Sequence, residues 1–516
     1  MMVAPVYEPV ALAKMGRVAL FSPWLARTST ELLGGIAGAV GVAIPALCGI
    51  AWDSRAVRPG DLFVALRGGR HDGHEHVDQA VHHGAVALLV ERPSRTDVPA
   101  VMVADTRRAL STVSASLFDH PARRLQVIAV TGTDGKTTTT HLAHAVLGAI
   151  GLRAAAVSTL RFLGAGGESY PNRTDMTTPE APVLHRFMAE QLRAGARAMV
   201  VETTSHALVQ RRVDDCIFSV AAVTNLTPEH LDFHGSFAAY AAAKLRVLGL
   251  LEDAGGLGLL ITHEGDPELD RFRQAWSGRA LSFGIAHGQV RADAIVQDDW
   301  RCGFSLHHHG RCARVSLPMS GRHNVLNALA AASIAIGSGG QLTDVAAALG
   351  RKVCVPGRLQ RITRGQPFTL VVDFAHTPNA LEAVLMAMRR STPGRLVVVF
   401  GSAGGRDAAK RPAMGRAVSE YADLVLLTAD DPRDEDPAQI AAEIRSGMIG
   451  AGAPPLAWIV PDRREAIRIA VAGARANDTV LIAGKGGQAK MYLEGGRTVP
   501  WDDVAEAEEA VTARPE

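Results

Sequence analysis

The sequence predicts an α/β chain of several domains with a nucleotide site of the P-loop type. Three observations carry that expectation. Short apolar runs alternate with helical patterns along the 516 residues, as in parallel sheets covered on both faces. In the last two thirds of the chain those runs mostly end in polar, reactive residues. One run leads straight into a glycine-rich turn and a helix start, Gly132-Thr133-Asp134-Gly135-Lys136-Thr137-Thr138.

The elements fall into three blocks. The first runs to about residue 122, with strand-like pieces at Leu62 to Leu66, Ala85 to Val90 and Val101 to Val103. Within it, Leu32 to Trp52 carries no charge over 21 residues, long enough to span a bilayer. It is mostly Gly, Ala and Val, contains Pro45 and lacks a flanking basic cluster, so it reads as a soluble helix followed by a strand. The second block opens with Val127 to Val130 and continues with runs at Ala198 to Val201, Val220 to Val223 and Leu257 to Ile261. The third starts near Pro356-Gly357-Arg358, with strands at Leu370 to Val372, Leu396 to Phe400, Leu424 to Leu427 and Val480 to Ile482.

The polar ends of these runs include Glu202 to His206, Thr224-Asn225, Asp373 to His376, Gly401 to Asp407, Asp430 to Arg433 and Gly484-Lys485-Gly486. Ligands of open α/β sheets sit beyond the carboxyl ends of the strands. Two domains are therefore expected to present their sites to each other across a cleft.

The glycine-rich turn has a physical rationale. Backbone N–H groups of such a turn point at phosphate, and the dipole of the helix that follows favours negative charge there. Lys136 reaches the outer phosphates and Thr137 offers its hydroxyl to Mg²⁺. Val130 stands where the general pattern has a further glycine, so the match is to a shortened form.

Composition narrows the class. The formal net charge is +2 without a long basic run, which gives no sign of nucleic-acid binding. Cysteines at 48, 216, 302, 312 and 354 form no CxxC and read as reduced cytosolic packing residues. His307-His308-His309 reads as a solvated turn before Gly310. The start of the chain does not read as a signal peptide. The expectation is a cytoplasmic protein with no membrane partner.

At this point the chain resembles the Mur ligase family, most closely its tripeptide-forming branch. The resemblance runs from Asp53 to about Trp501 and rests on ordered motifs. They are Asp53-Ser54-Arg55, Pro59 to Phe63, Asp72-Gly73-His74, the phosphate loop, Thr177-Thr178-Pro179 and Glu202 to Leu208. Thr224-Asn225-Leu226, His230 to Gly235, Ala243-Lys244 and Asn324 to Asn327 follow. Pro356-Gly357-Arg358, Asp373 to Pro378 and Lys410-Arg411-Pro412 complete the set. Any one is weak, whereas the ordered set is specific.

The resemblance implies three domains: a UDP-sugar-binding one over residues 1–122, a central ATPase over 123–355 and a Rossmann-like, amino-acid-binding ligase domain over 356–516. It implies ATP-driven amide formation through an acyl phosphate in peptidoglycan precursor synthesis. The substrates would be UDP-N-acetylmuramoyl-L-Ala-D-Glu and a free amino acid, and the protein a monomer. Lys136, His230 and Lys244 would be catalytic. Gly132, Thr133, Asp134, Gly135, Lys136, Thr137, Thr138, Asn324, Asn327, Arg358 and Asp373 would bind ATP. Two Mg²⁺ ions would be held by Thr137, Glu202, His230 and Lys244, the last as N6-carboxylysine. An unmodified Lys⁺ repels Mg²⁺, whereas a carbamate supplies oxygens, which Mg²⁺ prefers. Ser54, Gly69, Arg70, His71, Thr177, Thr178, Thr204, Gln210 and Arg212 would bind the UDP substrate, Arg212 through its carboxylate-matching fork.

For the amino acid, Arg406, Asp430, Asp431, Pro432, Arg433, Gly484 and Gln488 match the family's pocket, in which Arg433 grips a distal carboxylate. This implies meso-diaminopimelate. The chain departs from the pattern at several places. Asp431 replaces Asn, and Gly487-Gln488 replaces His-Glu. Asp134 replaces Asn, Thr204 replaces Ser and His323 replaces Phe. Gln488 still accepts through its amide oxygen but is uncharged, and losing a charge-assisted bond to a desolvated ammonium costs about 1.5–3 kcal/mol. Two alternatives stay open on these departures. One is a repurposed homologue that joins a different amino acid or acceptor. The other is a weakly catalytic nucleotide-binding regulator.

Overall fold

The computed structural model describes residues 16–19, 36, 43–68, 71–298, 300–351, 353, 355–448 and 455–514. Three main sheets organise them. The first has five strands in the order Arg17–Ala19, Gly49–Ala51, Asp61–Val64, Ala85–Val90 and Ala100–Met102. Gly49–Ala51 is the strand expected from the uncharged Leu32 to Trp52 stretch. The helix expected before it lies outside the described residues. Among the described residues, no helix is long and apolar enough to cross a membrane.

The second sheet has eleven strands, and its middle is parallel. Gln126–Thr131 lies between Ala198–Glu202 and Phe218–Val223, with Ala154–Val157 and Leu259–His263 flanking them. The chain leaves Gln126–Thr131 towards one side of the sheet and later returns on its other side. The turn after this strand therefore sits at a topological switch point, where a crevice opens. Side chains of the strand alternate between faces. Val127 and Ala129 enter one apolar core and Ile128 and Val130 the other, each large side chain contributing about 1.5–3 kcal/mol on full burial. Being apolar on both faces is why the run shows no alternation in sequence.

One part of this sheet went unread. Strands Val290–Asp298, Arg301–His308 and Arg311–Leu317 form an antiparallel extension at its edge. Cys302, Phe304 and Leu306 point inward at a spacing of two while their neighbours are only partly buried. His307 and His308 end a strand, and only His309 and Gly310, both at positive φ, make the turn. The expected histidine turn is thus one residue of the three.

The third sheet runs Gln360–Ile362, Thr369–Asp373, Thr479–Ala483, Leu396–Phe400, Leu424–Leu427 and Leu456–Ile459, parallel except for the first strand. Its strand Thr479–Ala483 inserts between two earlier strands, which makes a second switch point. The carboxyl ends at Asp373, Phe400, Leu427 and Ala483 lead into the polar turns noted in the sequence.

Candidate active site

The phosphate turn joins strand Gln126–Thr131 to helix Lys136–Ala149. Two of its residues have to be glycine. Gly132 has φ +135° and Gly135 has φ +82°, and a Cβ on either would collide with Thr224 Oγ1 or Asn327 Oδ1 respectively. Asn225 fixes the turn, accepting from Asp134 N at 2.8 Å and donating to Asp134 O at 3.1 Å. Lys136 Nζ donates to Thr133 O at 2.6 Å, folded back over the loop it would share with an anion. Thr137 Oγ1 donates to Glu202 Oε1 at 2.9 Å, and Thr159 N donates to Glu202 Oε2 at 2.8 Å. Arg358, from the third block, reaches across to Thr137 Oγ1 at 3.1 Å.

Beside this turn lies a layer of titratable groups. Lys244 is buried in helix Phe237–Glu252, and its Nζ donates to Gly132 O at 2.6 Å. Burial, then the charge of Lys136, holds its amine well below the ordinary lysine range. The residue before His230, Glu229, stands 3.7 Å from His230 Nε2 and 3.6 Å from His376 Nε2. Burial raises the carboxyl pKa of Glu229, but the hydrogen bond from His376 and the charges of His230 and Lys136 win and hold it well below the usual value. Burial lowers His230 to about 4 and His206, 4.8 Å away between ring centres, to about 3. The Asp134 carboxyl is pushed up by burial and then by Glu229.

Two cavities open here. One, of about 390 Å³, is lined by Gly135, Thr138, Asn324, Asn327, Asp373 and His263 among others. Asn324 and Asn327 are bonded to each other at 3.1 Å, and the His263 ring stacks on Phe283 at 5.4 Å. Asp373 accepts from Leu359 N at 2.6 Å and Ala375 N at 2.7 Å, so it shapes the turn carrying Arg358.

The larger cleft, about 630 Å³, has the phosphate loop, Thr177, Glu202, Thr204 and His230 on one wall. Arg358, Arg406, Asp430, Asp431, Arg433, Gly484 and Gln488 form the other. The last five come from turns after Leu424–Leu427 and Thr479–Ala483, as the strand-end pattern predicts. Arg433 has φ +52°, donates to Gly404 O at 2.7 Å and lies over the Tyr492 ring. Arg406 is half-exposed and 3.6 Å from Asp232. Pro432 follows Asp431 but does not line the cleft.

The expected acceptor residues form one network at the cleft's edge. Thr178 Oγ1 donates to Glu202 O at 2.7 Å and receives Thr204 N at 3.1 Å. Arg212 donates to Thr178 O at 2.9 Å, holds Gln210 Oε1 and pairs with Glu180 at 3.1 Å. Ser54 is elsewhere, buried in the first block with its Oγ on Gln79 Oε1 at 2.8 Å. His71 is exposed, and Gly69 and Arg70 lie outside the described residues. Among the described residues, no three His, Cys, Asp or Glu side chains converge as a metal site. Thr137 with Glu202 instead offers a sparse oxygen set. That suits Mg²⁺, which takes most of its ligands from phosphate and water.

Reading by residue missed three participants. Glu229 and His376 meet across the two blocks, and Lys410 donates to His376 O at 2.9 Å. All three lie in quoted motifs or beside them, but only the folded contact shows that they converge.

Family models match most of the chain: a Mur ligase family catalytic domain over residues 47–125, a Mur ligase middle domain over 130–335 and a Mur ligase glutamate ligase domain over 357–486. A UDP-N-acetylmuramyl-tripeptide synthetase of Roseiflexus sp. is 40% identical over 484 residues, covering 90% of this chain and 95% of that protein. A UDP-N-acetylmuramoyl-L-alanyl-D-glutamate–2,6-diaminopimelate ligase of Geobacillus thermodenitrificans is 38% identical, covering 91% and 96%. A solved structure of a ligase with that same name has TM-score 0.60 and 30% identity, covering 90% of this chain and 94% of the other.

Proposed function

The chain belongs to the Mur ligase family, and from that premise we propose that it joins meso-diaminopimelate to UDP-N-acetylmuramoyl-L-Ala-D-Glu at the expense of ATP. The observation that carries the proposal is the continuous cleft with Lys136 and Thr137 on one wall and Arg406 and Arg433 on the other. A carboxylate is a poor acyl donor at neutral pH and has to be activated. The dipeptide carboxylate attacks the γ-phosphorus, ADP leaves, and the amine then attacks the acyl carbon and expels phosphate. The first step needs charge neutralised around the transferred group, which Lys136 and Arg358 are placed to do. The second needs a neutral amine, so the incoming ammonium has to shed a proton before it attacks.

Thr137, Glu202, His230 and Lys244 would hold two Mg²⁺ ions, with Lys244 as N6-carboxylysine. When bound, those ions supply charge neutralisation between the phosphates. The depressed pKa of Lys244 supports the modification, because only the neutral amine reacts with CO₂. The Asn324 cavity takes the nucleoside, and Thr178, Thr204, Gln210 and Arg212 take the acceptor peptide. The first block, with Ser54, Gly69, Arg70 and His71, takes the UDP end. The domain division at 122 and 355, a monomeric state and a cytoplasmic location complete the reading.

The test is an amine screen with ATP and UDP-N-acetylmuramoyl-L-Ala-D-Glu. ADP release is expected only when acceptor and diaminopimelate are both present. Release that ignores either one, or that needs a different acceptor, sinks the reading in favour of a repurposed ligase or a nucleotide-binding regulator.

A further inference from the structure

At the far end of the cleft, one buried lysine fixes which groups donate and which accept. Lys485 has no exposed surface. Its Nζ donates to Asp431 Oδ1 at 2.6 Å and to Gln488 Oε1 at 3.0 Å. An ammonium has only donors, so what it holds on Gln488 has to be the amide oxygen. The free end of that amide is then Nε2, itself a donor. A donor cannot receive a substrate ammonium, but it suits a carboxylate, as do Arg406 and Arg433 on the same cleft. The Gln488 oxygen expected to meet a substrate ammonium already meets the ammonium of Lys485, whose charge repels a second cation.

Asp431 is placed the other way round. Its Oδ1 receives Tyr492 N at 2.9 Å as well as Lys485. Among the described residues, no group donates to its second oxygen. Its backbone sits at φ +47°, a conformation few non-glycine residues adopt. Arg463 is matched by Asp503 through two bonds of 2.7 and 2.8 Å. Lys485 is matched by Asp431. Asp430 stands 3.8 Å from the same Lys485. Two carboxylates, Asp430 and Asp431, thus flank one buried ammonium, with Arg433 on the same wall and Gln488 neutral.

We propose that Asp431, through its open oxygen and with Asp430 behind it, receives the distal ammonium of the incoming amino acid, while Gln488 Nε2 and Arg433 receive its distal carboxylate. This inference rests on the ligase reading above. It names the substrate class as amino acids whose distal end is itself a zwitterion. An amine without the distal carboxylate leaves two donors unmet, and one without the distal ammonium leaves the carboxylates unmet.

The experiment measures kcat/KM for meso-diaminopimelate, 2-aminopimelate and lysine in the wild type, Asp431→Asn, Gln488→Ala and the exchange Asp431→Asn/Gln488→Glu. Asp431→Asn keeps an oxygen for Tyr492 N and Lys485 but loses the charge. It is expected to lower the preference for diaminopimelate over 2-aminopimelate about tenfold or more, mostly through KM. Gln488→Ala is expected to weaken both distal carboxylates together and hold that preference within about threefold, which tests the idea even if Asp431→Asn folds poorly. The exchange variant should recover the preference. Loss of the preference in Gln488→Ala, or its survival in Asp431→Asn, overturns the assignment while leaving the ligase reading intact. Ligation of none of the three amines by the wild type overturns both.

Discussion

The two ends of the cleft are built from different materials. At the phosphate end the backbone does the holding: two glycines at positive φ, a helix start and Asn225 shape one continuous segment. At the amine end side chains do it: Asp431, Lys485, Gln488 and Arg433 come from two turns and are aligned by one ion pair and two hydrogen bonds. A backbone cradle tolerates only glycine at its crowded points, which leaves it little room to change what it holds. A side-chain cluster can exchange charges between positions and keep its sum. The first end should therefore fail abruptly when altered, and the second should shift its selectivity.

The largest effect is expected at the cradle. Lys136→Ala should lower ligation by ~10³-fold or more with an unchanged melting temperature, since it removes a charge aimed at the transferring group. Near-normal turnover in the folded variant would remove the phosphate-loop assignment. Lys244→Ala should be nearly as inactive, and a short carboxylic acid should restore part of the activity by standing in for a carbamate. A variant that keeps most of its activity would make the lysine a structural prop for Gly132 O. Glu202→Gln, which keeps the shape but not the charge, should cost ~10²-fold in kcat and raise the Mg²⁺ concentration needed for half-maximal rate. An unaltered Mg²⁺ dependence would take Glu202 out of the metal set.

A smaller effect concerns stability away from either end. His185 is fully buried with neither ring nitrogen hydrogen-bonded, and burial lowers it to about 3. From pH 6.5 down to about 3 the unfolded chain binds a proton that the folded ring does not. This histidine therefore costs stability as pH falls through that window, by up to ~1.4 kcal/mol per pH unit. His185→Phe should flatten the loss of stability between pH 6 and 4 in urea titrations. An unchanged slope would mean that this ring takes up its proton in the folded state.

The same contrast explains what could be read from sequence. The phosphate turn was legible because strand, glycines, lysine and helix are consecutive, and the strand-end rule located Asp373, Asp430 and Gly484. The antiparallel strands from Val290 to Leu317 escaped because their apolar residues alternate in short runs that resemble loop. Glu229 escaped because its partners His230 and His376 lie in different blocks. Gln488 was read as an acceptor because Lys485, three residues before it, gives no sign in sequence of folding back onto its oxygen. Contacts made by long side chains across turns are set by packing, and no local pattern encodes them.

The central claim is that the acceptor carboxylate is phosphorylated in this cleft before the amine attacks it. Its most direct test follows oxygen. UDP-N-acetylmuramoyl-L-Ala-D-Glu labelled with ¹⁸O in the reacting carboxylate is turned over with ATP and diaminopimelate, and the released phosphate is analysed by mass. Activation through an acyl phosphate transfers one labelled oxygen to each phosphate formed. Phosphate released without label, alongside ligated product, would contradict the account.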